Sequence, residues 1–186
     1  MNIVGTGPLE KKIKKLGLLH LLSQKNKAVD QLASLKDKNW SARSPKIRES
    51  ALSLSDVVPI APEWLTVNIV DALPEDSIIV NEALTSMRAL SSLRPNRHRY
   101  DYHGNASGGI GWGLPASVGV QLAHPDRPVV CLSGDGSALY SIQTLWTAAH
   151  LDLPITFVIT NNKSYRILKQ RLRAFQKSDT DVGMDF

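Results

Sequence analysis

The sequence predicts an α/β fold, a parallel sheet with helices on both faces. Two observations carry that prediction. Short runs rich in Val, Ile and Leu recur at 77–80, 129–132 and 155–160. A strand covered on both sides reads as a continuous apolar run of this kind, whereas a half-solvated strand alternates. Between the runs lie longer segments with helical patterning, and strands that alternate with helices build parallel sheets.

The elements follow in order. Residues 9–22 and 27–36 read as two short amphipathic helices in which lysines interleave with leucines. Residues 37–60 are polar and hold Pro45 and Pro59, a composition that predicts a linker. The chain therefore divides into a helical tail over 1–36, a linker over 37–60 and an α/β domain over 61–186. Pro62 suits the first turn of a helix reaching residue 73, where its missing N–H has no partner to lose. A strand follows at 77–80 and a helix at 85–93. After a polar, Arg-rich connection comes a glycine-dense turn, then helix 114–123, strand 129–132, helix 138–150, strand 155–160 and helix 165–175.

Composition excludes several classes. With 42% hydrophobic and 21% charged residues the 186-residue chain is neither disordered nor collagen-like. The apolar stretches, such as 155–159 with Thr156 inside it, are far too short to span a bilayer. No charged-then-apolar cleavage pattern opens the chain, which predicts a protein retained in the cytoplasm. Cys131 lies in the run Val129-Val130-Cys131-Leu132 and reads as a buried strand residue in a reducing compartment. The net charge of +5 is unevenly held: residues 1–50 carry eleven Lys or Arg against four Asp or Glu, and the remainder eleven against thirteen. The basic segment nearly lacks aromatics, so it reads as a solvated helix face, with neither nucleic acid nor membrane as partner.

The chemistry gathers at Ser133-Gly134-Asp135-Gly136-Ser137, where a buried strand ends and a helix begins. Open parallel sheets bind ligands at the carboxyl ends of their strands. A helix start offers free backbone N–H groups suited to phosphate, and the glycines allow close backbone approach. Asp135 would repel a phosphate unless a divalent cation lay between them. A Mg²⁺-type ion with oxygen ligands resolves the conflict. The next strand ends in Asn161-Asn162-Lys163-Ser164, and Asn162 follows Asp135 by one helix and one strand, so parallel pairing brings the two ends together. Either segment alone reads as an ordinary turn; the pair, each after an apolar strand, points to a metal-bridged phosphate site.

Gly134-Asp135-Gly136-Ser137 followed at this interval by Asn161-Asn162 resembles the cofactor motif of the thiamine-diphosphate-dependent enzymes. Gly104-Asn105-Ala106-Ser107-Gly108-Gly109-Ile110-Gly111-Trp112-Gly113-Leu114-Pro115-Ala116 resembles the preceding cofactor loop of their decarboxylases. The run 141–149 is similar to benzoylformate decarboxylase, with acetolactate-synthase-like enzymes close behind, and Asp185-Phe186 fits the same pattern. The resemblance covers residues 78–186, reaches back toward Ala61 and thins before that. It implies Mg²⁺ held by Asp135, the Asn162 side chain and the Ser164 backbone carbonyl. It implies that Gly136 and Ser137 meet the diphosphate of thiamine diphosphate, with Asn81 and Thr85 as further contacts. The Gly108 carbonyl would accept a hydrogen bond from the aminopyrimidine, Ile110 would wedge the cofactor into its bent form, and Tyr165 would pack over it.

The resemblance also implies what lies elsewhere. The family joins pyrimidine-binding, central and diphosphate-binding domains in one long chain and takes its activating glutamate from the pyrimidine-binding domain of a partner subunit. Glu82 follows the first strand of the diphosphate domain and is not that glutamate, so no catalytic residue is assigned here. Residues 1–36 would correspond at most to the end of a central domain, and the family continues beyond Phe186 with more strand and helix. The implied protein is part of a homo-oligomeric 2-oxo acid decarboxylase or carboligase; the alternative is a non-catalytic remnant or regulatory module that keeps the fold. Gly111-Trp112-Gly113-Leu114-Pro115-Ala116 matches a relaxed dinucleotide fingerprint but lacks its strand and its acidic residue, and no phosphate-binding loop of the ATPase type occurs. His98, His103, His124 and His150 lack metal-ligand spacing.

Overall fold

The computed structural model describes His20, Gln24, 27–36 and 38–177. The chain divides into two compact units, Met1–Pro45 and Lys46–Phe186. In the first, residues 27–35 are helical and exposed; the expected helix at 9–22 and the pair Asp185-Phe186 lie outside the described residues.

The stretch 37–60 is not the irregular linker that its composition predicts, because α1 (Trp40–Leu52) occupies much of it. Asn39 opens this helix, its side-chain oxygen accepting the Ala42 N–H at 2.9 Å. Pro45 removes one internal hydrogen bond. One turn apart on the helix, Ile47 and the fully buried Ala51 pack with Val67, Leu93 and Trp64. Ile47 and Ala51 sit one turn apart amid Ser, Arg, Lys and Glu, a faint helical signal that Pro45 masks further.

The second unit holds the sheet. In order come α2 (Pro62–Ala72), β1 (Ile78–Asn81), α3 (Leu90–Leu93), β2 (Tyr102–Gly104), α4 (Gly113–Ala123), β3 (Val129–Gly134), α5 (Asp135–Leu139), α6 (Thr144–His150), β4 (Ile155–Thr160) and α7 (Arg166–Gln176). The strands lie in the order β2-β1-β3-β4, all parallel, with Ile79 beside both Tyr102 and Val130 and Cys131 beside Phe157. Both faces are covered. Ile79, Val130 and Leu132 pack against Leu65, Ile69 and Val70 of α2. On the other face Ile78, Val80 and Val129 meet Ala116 and Val120 of α4, while Cys131 packs with Leu114 and Ala138. Burial pushes the Cys131 thiol up to about 12, so it is a core atom and not a nucleophile.

Three elements depart from expectation. β2 falls in the polar connection, too short at three residues to leave an apolar run. The helix expected over 85–93 shrinks to its last four residues. The helix expected over 138–150 breaks into α5 and α6, with tight turns from Ser141 to Thr144, Ile142 to Leu145 and Gln143 to Trp146 between them. The turn between them is tied to the glycine loop, the Ser141 hydroxyl donating to the Gly111 carbonyl at 2.7 Å.

Candidate functional site

The topology creates a crevice. From β1 the chain moves outward to β2 on one side, and from β3 it moves outward to β4 on the other. Strand order reverses between β1 and β3, and a crevice opens at their carboxyl ends. The segments that follow β1, β3 and β4 line it together: Glu82 to Ser86, Gly134 to Ser137, and Thr160 with Asn162 and Ser164.

The β3 and β4 ends are joined directly, through Thr160 and Lys163, which sequence reasoning did not single out. Register sets Gly134 beside Thr160, whose hydroxyl donates to the Ser133 carbonyl at 3.2 Å. One residue later an Asp135 carboxylate oxygen accepts the Lys163 N–H at 3.0 Å. Lys163 has φ +53°, a left-handed turn held also by the Asn161 side-chain oxygen at 2.9 Å. Asn162 in turn accepts the Ser164 N–H at 3.0 Å. Asp135, Asn162 and Ser164 therefore line the same cleft, with the Asp135 carboxylate and the Asn162 amide oxygen each tied to a backbone N–H of the turn. Such an all-oxygen, singly acidic set suits a hard cation that completes its shell with oxygens of a bound anion. Among the described residues no group of three or more His, Cys, Asp or Glu offers a metal site instead.

Gly136, Ser137 and Thr85 line the same cleft. Tyr165 lies across Gly136 so closely that a Cβ there would come within 2.6 Å of its ring. Desolvation first, then the neighbouring Tyr140 and Asp135, pushes the Tyr165 hydroxyl up from its usual range. Arg166, which sequence reasoning did not single out, also lines the cleft. Asn81, expected among the phosphate contacts, is turned to other work: its amide donates to the Tyr102 hydroxyl at 3.1 Å and its oxygen accepts the Ala83 N–H at 3.0 Å. It shapes the turn after β1 and does not line the cleft.

The glycine loop is a separate construction. Asn105 folds it, accepting the N–H groups of Ser107 and Gly108, both at 2.9 Å, and donating to the Gly109 carbonyl at 2.5 Å. Gly108 has φ +78° and is exposed, and Ile110 stands 49% exposed. Neither lines the cleft. The buried Glu82 accepts the Gly111 N–H at 2.5 Å and the Gly113 N–H at 2.7 Å. Sequence reasoning weighed Glu82 only as an acid; nothing short of the β1–α4 geometry reveals this pairing.

A parallel α/β sheet with a cation-ready carboxylate and a glycine cradle at its switch point defines a class of phosphate-cofactor proteins. Comparison with known proteins narrows it. Residues 83–185 match the family described as "Thiamine pyrophosphate enzyme, C-terminal TPP binding domain", and the chain belongs to that family. It is 40% identical over 133 residues to benzoylformate decarboxylase of Pseudomonas aeruginosa, covering 69% of this chain and 25% of that one. It is 33% identical over 111 residues to the acetolactate synthase isozyme 1 large subunit of Escherichia coli, covering 59% and 20%. A solved structure, the thiamine diphosphate-dependent 4-hydroxybenzoylformate decarboxylase of Rhodococcus jostii, superposes with a TM-score of 0.64 at 40% identity over 70% of this chain and 25% of that one. The chain thus spans 20% to 25% of the length of these relatives.

Proposed function

We propose that this chain is the thiamine-diphosphate- and Mg²⁺-binding part of a 2-oxo acid decarboxylase or carboligase of the benzoylformate decarboxylase or acetolactate synthase type. The observation that carries the proposal is the Asp135–Lys163 hydrogen bond, which sets the carboxylate beside Asn162 and Ser164 on the same cleft as Gly136 and Ser137. In this reading Asp135, the Asn162 amide and the Ser164 carbonyl hold Mg²⁺. The Gly136 and Ser137 N–H groups meet the diphosphate, and Thr85 lines its approach. Tyr165 closes the cleft over Gly136. The Gly108 carbonyl accepts a hydrogen bond from the aminopyrimidine, and Ile110 supports the ring from its apolar side. When bound, thiamine diphosphate supplies an electron sink for the carbanion left as a 2-oxo acid loses CO₂.

The chain's own share is to bind and orient. As the resemblance implies, the carboxylic group that activates the aminopyrimidine comes from a pyrimidine-binding domain of another chain, while Asp135 serves the metal. The working protein is then a homo-oligomer. A cytoplasmic setting suits the buried, unpaired Cys131, and no described helix is long and apolar enough to cross a membrane. The test is calorimetric titration of the chain with thiamine diphosphate. Binding that requires Mg²⁺, disappears with chelator and returns with Mg²⁺ or Ca²⁺ supports the reading; binding indifferent to chelator rejects it.

A further inference from the structure

Glu82 is 3% exposed and has no lysine or arginine partner among the described contacts. Its backbone N–H is fixed to the Leu132 carbonyl at 2.7 Å, one position beyond the β1–β3 pairing. Each carboxylate oxygen accepts one glycine N–H, Gly111 at 2.5 Å and Gly113 at 2.7 Å. The glycines are shaped to receive it. Gly111 takes φ +85°, and a Cβ on Gly113 would lie 2.7 Å from the carboxylate. The opposite side of Gly111 is held as well, its carbonyl accepting the Ser141 hydroxyl at 2.7 Å. Hydrogen bonds to a buried charge are shorter and stronger than neutral ones, and leaving such a group half-satisfied is costly. The carboxylate therefore clamps the glycine loop to the end of β1.

We propose that Glu82 is a positioning residue: it fixes the loop so that Gly108 and Ile110 are presented to the ring end of thiamine diphosphate, while the diphosphate end is held independently through Asp135. This rests on the cofactor reading given above. Both oxygens of Glu82 are occupied by backbone N–H groups, so its role is geometric and no proton transfer is assigned to it.

The two ends of the cofactor can be probed separately. The full chain is titrated with thiamine diphosphate and, in parallel, with inorganic pyrophosphate, both in Mg²⁺. The wild-type chain is expected to bind thiamine diphosphate more tightly, the difference being the ring-end contribution. Glu82→Gln turns an amide N–H against one of the two glycine N–H groups. Its thiamine diphosphate affinity should fall about tenfold, the scale of one lost charge-assisted hydrogen bond. Glu82 itself lines the diphosphate cleft, so the split between the two ends is read at Gly113→Ala, outside that cleft, which displaces the carboxylate without removing its charge. Its thiamine diphosphate affinity should fall similarly while its pyrophosphate affinity stays within about twofold, a split that general destabilisation does not produce. Equal loss for both ligands in Gly113→Ala, no loss for either, or failure of both variants to fold overturns the positioning role. A wild-type chain that binds neither ligand overturns the cofactor reading and this inference together. A wild-type preference retained in Gly113→Ala overturns this inference alone.

Discussion

At Gly111 the backbone takes φ +85°, and a Cβ would lie 2.4 Å from the Tyr140 Cβ. A side chain there is strained twice, by conformation and by contact. Gly111→Ala should therefore destabilise the fold by about 1–3 kcal/mol, the usual range for a forced left-handed residue, and more if Tyr140 cannot yield. Urea unfolding measures it; a change below about 0.5 kcal/mol would contradict the geometry. Individual site residues were legible to different degrees. Asp135, Asn162, Ser164, Gly136, Ser137, Thr85 and Tyr165 line one cleft, because the sheet's register converts a sequence interval into proximity. Asn81 was read as a phosphate contact from its place at a strand end, yet its amide serves the local turn. The Glu82 clamp joins residues 29 and 31 positions apart, and no local pattern encodes such a pairing.

At the scale of elements, the buried apolar strands were the most readable, because burial on both faces forces a continuous apolar run. β3 shows this most clearly, with Val129 to Ser133 all buried. Leu132, fully buried between β1 and the α2 face, should cost about 2–5 kcal/mol when cut to alanine; a loss under about 1 kcal/mol by chemical unfolding would show that this core is loosely packed. Elements set by specific polar bonds were not readable. The α5–α6 turn is bound to Gly111 through Ser141, and β2 follows a hydrogen-bonded loop. That loop is organised by Asp101, which accepts the N–H groups of Arg97 and His98, each at 2.8 Å, and an Arg127 guanidinium N–H at 2.7 Å. Burial by itself would raise the Asp101 carboxyl, but the hydrogen bonds from Arg127 and the two backbone groups outweigh it and hold it down at about 2. A depressed carboxyl stabilises the fold above its unfolded value near 3.9, and that contribution is lost as pH falls from about 4 toward 2. Asp101→Asn should be less stable at pH 7 and should lack this part of the acid dependence. Parallel acid-unfolding curves for the two proteins would contradict the assignment.

For the whole molecule, the sheet's carboxyl edge and the nearby helices leave large apolar side chains open. Ile110 stands on the glycine loop, while Leu139, Tyr140 and Trp146 are exposed on or beside α5 and α6. An apolar surface of this kind is usually covered by a partner, and a pyrimidine-binding domain is the partner proposed here. The isolated chain should self-associate in sedimentation, and a clean monomer stable on dilution would count against the covered surface. It should release no CO₂ from pyruvate or benzoylformate above free cofactor, whereas adding a pyrimidine-binding domain should restore turnover. Family and fold class were legible because the glycine and asparagine segments sit at strand ends. Substrate was not, since the chain spans only part of its relatives' length. The central claim is a metal-bridged cofactor site, and the most direct test is calorimetric titration of the wild-type chain and Asp135→Ala with thiamine diphosphate in Mg²⁺. The account predicts measurable, Mg²⁺-dependent binding by the wild type and none by a folded Asp135→Ala; equal affinity in the two would contradict it.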